Sequence, residues 1–207
     1  MSRTFRLAGI ATLMTAFLAF MLVTHLDRRA NSPEILVDVQ GYDPRDIFLG
    51  HFAAIRTPLG RLDAASLDGD DDFARGDPVF VALSVGEDGL ARPVALYREH
   101  PGAPLVARGY VTAQNRQTRE WVVTTDPDTG EVTRESVEVD YNWVYARFNI
   151  ERYFASEAIA LALQDRLRET DEDGDNGVRL ILAVPEDGAL LIKGLEVDGE
   201  RRVDSVW

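Results

Sequence analysis

The residues best suited to chemistry fall into a few groups. Asp43, Arg45 and Asp46 surround Pro44. Proline fixes a turn, an Asp before it accepts from nearby backbone N–H groups, and an Arg–Asp pair closes the charge. Turn chemistry accounts for all four residues. An electrostatic contact with a partner is the alternative. Glu151, Arg152 and Glu157 border the aromatic pair Tyr153-Phe154. Arg152 has the donors to clamp a carboxylate through two parallel hydrogen bonds. An internal ion pair that fixes a strand-to-helix junction is the plainer reading.

Two acidic runs have the 1-3-5 spacing of calcium ligands: Asp68, Asp70, Asp72 and Asp171, Asp173, Asp175. An EF-hand loop also needs Gly at its sixth position and Glu at its twelfth. The first run supplies Phe73 and Val79 there, and the second Asn176 and Leu182. Both are expected to be solvated loops. His25, His51 and His100 lie in separate elements with no His-x-x-x-His spacing, which makes a zinc site unexpected. No metal or other cofactor is expected. A Ser–Lys peptidase would pair a serine such as Ser32 with the one lysine, Lys193. That is an enzymatic alternative to a binding or interaction role.

These residues need positioning, and the first element that positions them is a membrane segment. Leu7 to Leu26 is twenty residues long and holds no Lys, Arg, Asp or Glu. As a helix it reaches about 30 Å, the thickness of a bilayer's hydrocarbon core. Arg3 and Arg6 precede it, and Arg28 and Arg29 follow. A cleaved signal peptide is the rival, but its apolar stretch is shorter, about 7–15 residues, and ends in a small-x-small site. The length therefore predicts an uncleaved anchor over residues 1–29, a linker at 30–34 and an exported domain over 35–207. The flanking arginines nearly balance. The short N-terminal stretch favours an inside N-terminus at the inner membrane and an extracytoplasmic domain.

The first 29 residues hold four Arg and one Asp, so the remainder carries 18 basic residues against 34 acidic, a net charge of −16. Such a surface repels nucleic acid and anionic lipid. The chain has no cysteine, which excludes disulfides, a thiol nucleophile and thiolate metal sites.

Downstream the pattern is mostly β. Ile35, Val37 and Val39 alternate with polar or larger neighbours, and a second strand is expected over 48–57. An acidic loop is expected over 62–77. Strands follow over 78–85, 90–98, 105–112, 121–125, 131–139, 141–150, 178–184 and 189–197, with a short tail strand after them. The one soluble helix begins near Ser156, with Glu157 in its first turn, and runs to about 170. The expectation is an α+β, mainly β protein: a transmembrane helix and one antiparallel β-rich domain with one main helix.

Several blocks of the chain resemble the GDYXXLXY family of bacterial membrane-anchored proteins. The first is Asp43-Pro44-Arg45-Asp46, followed by Gly50-His51-Phe52-Ala53-Ala54-Ile55-Arg56-Thr57. The second is Phe148-Asn149-Ile150-Glu151-Arg152-Tyr153-Phe154-Ala155-Ser156-Glu157. The third is Ile192-Lys193-Gly194-Leu195-Glu196-Val197-Asp198-Gly199. The matching positions are Asp43, Pro44, Arg45, Asp46, Gly50, Phe52, Ile55, Arg152, Phe154 and Glu157. Of the motif's named residues Gly50 alone is kept, while His51, Phe52, Ile55 and Thr57 replace Asp, Tyr, Leu and Tyr. The resemblance implies a one-anchor layout and no defined activity. Through the family's association with multi-span membrane proteins, it also implies a membrane-protein partner. A non-enzymatic interaction module is thus the leading expectation, with a small-ligand or cation-binding module second. The oligomeric state is open.

Overall fold

A computed structural model describes residues 3–39, 52–125, 132–154, 163, 166–167 and 176–204. Helix α1 spans Arg3–Asn31. Its apolar side chains stand exposed from Leu7 through Val23, and its apolar window is not buried against the rest of the chain. It is long and apolar enough to cross a membrane, as a signal sequence also is. The helix runs past the expected end of the anchor to Asn31. Of the segment 30–34, Ser32 and Pro33 alone separate it from the first strand, which begins at Glu34.

Three sheets follow among the described residues. The first contains β1 (Glu34–Asp38), β10 (Val178–Ala183), β11 (Leu191–Val197) and β12 (Glu200–Val203), in that spatial order and all antiparallel. In β1, Ile35 and Val37 are buried and alternate with less buried neighbours, as a period of two requires. Strand β10 is buried on both faces from Leu180 to Ala183, hence the apolar run there.

The second sheet pairs β2 (Phe52–Ala54) with β9 (Arg152–Phe154). The third has the order β3-β8-β7-β5-β6-β4, built from β3 (Arg61–Asp63), β4 (Asp68–Gly69), β5 (Pro78–Val85), β6 (Ala91–Tyr97), β7 (Val106–Thr125) and β8 (Val132–Arg147). It is antiparallel except where β4 meets β6. Pro78 opens β5, where a strand tolerates proline. Val79, Val81 and Leu83 then point into the core, each worth about 1.5–3 kcal/mol when fully buried.

One apolar core joins the sheets. Val37, Leu180, Leu182 and Leu195 from the first meet Val79, Val81, Leu96, Ala107 and Val144 from the third, with Tyr153 from the second. The mainly β expectation is met.

Several expected boundaries change. The four segments expected between residues 105 and 150 are two long strands. Strands β7 and β8 pair from Tyr110↔Arg147 out to Thr125↔Val132, through irregularities at Val111/Ala113 and Gln117/Arg119. Bulges let a single strand bend and continue where a sequence reading places a break. Ile150 lies outside β8, after Asn149 at φ 61°. The acidic stretch 62–77 is not one open loop, because it contains β4 and most of β3. It also buries Leu62, Ala64 and Phe73. In the expected helix over 156–170, Leu163, Arg166 and Leu167 are helical and both leucines are buried. The rest of it lies outside the described residues.

Candidate functional site: the junction of anchor and domain

The short Ser32-Pro33 connection forces the domain against the end of α1. Leu26 is half-buried, unlike the apolar residues before it, and the helix end touches β10 and β11. Arg29 then fixes the contact. Its Nε donates to the Ile192 carbonyl at 3.1 Å, and its Nη2 to those of Lys193 at 2.8 Å and Asp204 at 2.9 Å. A helix end has carbonyls of its own to satisfy, but here a cation in the last turn reaches across to carbonyls of another element. Arg28 pairs with Asp187 in the β10–β11 connection, and Arg108 approaches the same carboxylate at 3.8 Å. Burial opposes ionisation of Asp187. The Ala189 backbone N–H and Arg28 outweigh it and hold the carboxyl below its usual range.

Asp204 links this contact to the family blocks. Its backbone N–H donates to the Lys193 carbonyl at 2.8 Å, and its carboxylate accepts from the buried Tyr153 hydroxyl at 2.7 Å. Burial and this hydrogen bond push the Tyr153 phenol above its ordinary range. Tyr153 is opposite Ala53 in the β2–β9 pair, and Ile55 N–H donates to the Glu151 carbonyl at 2.9 Å. The described end of the first block, the second block and the third block therefore meet the anchor through Tyr153, Asp204, Lys193 and Arg29.

Lys193 is 3.0 Å from Glu34, which also receives Arg201. Burial opposes the Glu34 charge, but the hydrogen bonds from Lys193 and Arg201 prevail and lower its pKa. The Lys193 ammonium is thus engaged in an ion pair with Glu34. A peptidase general base needs the neutral amine.

The other expected sites stand as follows. Asp43, Pro44, Arg45, Asp46, Gly50 and Glu157 lie outside the described residues, as do His51 and Asp171–Asp175. Phe52 and Phe154 are backbone partners in the β2–β9 register. Ile55 is buried, which gives this motif position a packing role. Arg152 is exposed beside buried Tyr153. In the first acidic run, the Asp70 carboxylate accepts from the Arg98 backbone N–H at 2.8 Å, and Arg98 pairs with Asp72 at 3.6 Å. Asp71 pairs with Arg116 at 3.5 Å. Asp70, Asp71 and Asp72 thus each have a partner within the protein, while Asp68 lies in β4 opposite Ala95. Among the described residues no group of three or more His, Asp or Glu is arranged to hold a metal. His100 Nδ1 accepts from the Gly102 N–H, and its ring meets Phe80 edge-on.

A cleft of about 370 Å³ opens between the first and third sheets. Leu62, Leu90 and Ala91 give it an apolar floor, and Asp38, Arg61, Asp63 and Arg92 line it as well. Three of these charges are engaged. Asp63 accepts from the Ala65 and Asn142 backbone N–H groups, Arg92 closes onto Asp88, and Asp38 faces Arg179 at 3.6 Å. The Arg61 guanidinium instead stacks 3.8 Å above the Trp143 ring and makes no side-chain hydrogen bond among the described residues.

The family model of the GDYXXLXY protein matches residues 14–195, most of the chain. The chain belongs to the GDYXXLXY family. No curated protein and no solved structure gives a significant match. The junction therefore ties most of the family region to the anchor. Sequence reading missed Arg29, Tyr153 and Asp204 as partners. The available signal was spacing: an Arg pair two residues before Ser-Pro and a strand leaves the arginines no room to stand away from the domain.

Proposed function

We propose that this GDYXXLXY protein is a single-pass membrane protein whose β-rich domain is held rigidly on the end of an uncleaved anchor and engages a membrane-protein partner. The observation that carries the reading is Arg29, which ties the last turn of an exposed apolar helix to three domain carbonyls. Cleavage near Ala30 would discard these bonds and the Arg28–Asp187 pair. The short N-terminal stretch favours an extracytoplasmic domain at the inner membrane, and the lack of cysteine is compatible with export.

The β7–β8 arm supports the partner. Strand β5 covers β7 through Tyr110, and β3 covers β8 from Trp143 to Tyr145. Beyond that, among the described residues, the ribbon runs two-stranded from Arg116 to Thr125, roughly 31 Å at strand spacing. A two-stranded ribbon is marginal alone and offers its edges to another chain. Crosslinking in native membranes followed by pull-down tests the reading. One reproducible membrane-protein partner, lost when residues 117–138 are replaced by a short turn, is expected. Recovery of no specific partner counts against it.

Arg61 favours a second reading, a small-carboxylate site in the cleft. Stacking fixes the guanidinium plane and leaves its donors available. N-acetylleucine should then raise the melting temperature with concentration, its amide should not, and Arg61→Gln should abolish the effect. No shift with N-acetylleucine ends this reading.

A further inference from the structure

We infer that the edge strand β12 is a lipid-headgroup contact, with Arg202 on a phosphate of the leaflet that α1 enters and Val203 at its interface. The inference rests on the membrane-anchored reading. If Leu26 ends the span, Arg29 lies about 4.5 Å further along the axis. The headgroup layer of each leaflet is about 5–8 Å deep. Whatever bonds directly to Arg29 is thus held at that layer, and Asp204 does so through its carbonyl. Val203 and Arg202 immediately precede Asp204 and are exposed, Val203 at 53%.

The chemistry fits a phosphate surface. Strand β12 pairs with β11 on one side and has no strand on the other among the described residues. Arg201 is taken by Glu34 and Glu196. Arg202 has no ion pair among the described residues. At this end Arg28 is paired with Asp187, Lys193 with Glu34, and Arg29 is held by backbone carbonyls, so among these cations Arg202 is the one left to meet a phosphate. A phosphate held by Arg202 would set the domain on the membrane by β12.

The cysteine-free chain permits a direct test. Val203→Cys, labelled with a fluorophore, is placed in phosphatidylcholine nanodiscs as the full chain with an N-terminal tag. Headgroup-nitroxide lipid should quench the label more strongly than aqueous iodide. Adding Arg202→Gln should reverse that preference, and Arg202→Lys should keep it. Both positions are exposed, so an unchanged melting temperature is expected to verify folding. A disc-bound, tag-bearing chain whose label responds chiefly to iodide overturns this inference alone. Unchanged quenching in Arg202→Gln overturns the role of Arg202. Loss of the N-terminal tag, or release from the discs, overturns the membrane-anchored reading itself.

Discussion

Two adjacent arginines of the same type should differ sharply in what they contribute. Arg29→Gln removes three charge-assisted hydrogen bonds to the carbonyls of Ile192, Lys193 and Asp204. Such bonds are each worth about 1.5–3 kcal/mol, though not additively. The Lys193 carbonyl keeps the Asp204 N–H at 2.8 Å, which limits the loss. A net cost of about 2–4 kcal/mol follows. Arg28 and Asp187 are 39% and 42% exposed, and pairs this open contribute about 0–1 kcal/mol. At about 2–4 °C per kcal/mol for a domain of this size, Arg29→Gln should lower the melting temperature by about 4–16 °C, and Arg28→Gln by no more than about 4 °C. The assay is thermal and urea unfolding of the full chain in detergent, followed by tryptophan fluorescence. Equal losses for the two variants, or a loss below about 0.5 kcal/mol for Arg29→Gln, would refute a junction built on Arg29.

Gly194 lies opposite Val203, and a Cβ there would sit 2.0 Å from the Arg202 carbonyl oxygen. Gly194→Ala should therefore push β12 off β11 and cost about 1–3 kcal/mol, read as a lower urea midpoint. Tyr153→Phe should cost about 0.5–1.5 kcal/mol by deleting the bond to Asp204. Because the folded phenol is raised, that stability is full below about pH 10 and is lost as pH rises further, so one tyrosine should ionise in ultraviolet titration only with unfolding. Glu34 has a lowered folded pKa, so its contribution is full above about pH 4.3 and falls as pH drops through the folded value. Glu34→Gln should weaken the protein at neutral pH and flatten its acid limb in pH-dependent urea melts.

The fold was largely legible because local patterns agree with the tertiary structure. The alternation of Ile35 and Val37, the run over 78–85 and the apolar stretch over 178–184 all appear as strands. Patterns failed where tertiary context decides. The largely polar stretch 113–120 and Asp140 read as breaks between strands, yet β7 and β8 run through them, paired with each other. Leu62 and Phe73 were hidden by their acidic neighbours, although both are buried. The junction was the least legible part. Arg28 and Arg29 have the same type and neighbourhood, and only the fold distinguishes a surface ion pair from a half-buried clamp on carbonyls 163 to 175 residues away in sequence. Asp204 gives no local signal, because its three contacts come from α1, β9 and β11.

The central claim is that α1 stays attached and holds the domain at the membrane. The direct measurement is alkaline carbonate extraction of native membranes from cells expressing the chain with a tag at each end. The account predicts one full-length species bearing both tags in the membrane pellet. A C-terminally tagged species lacking the N-terminal tag and released to the supernatant would contradict it.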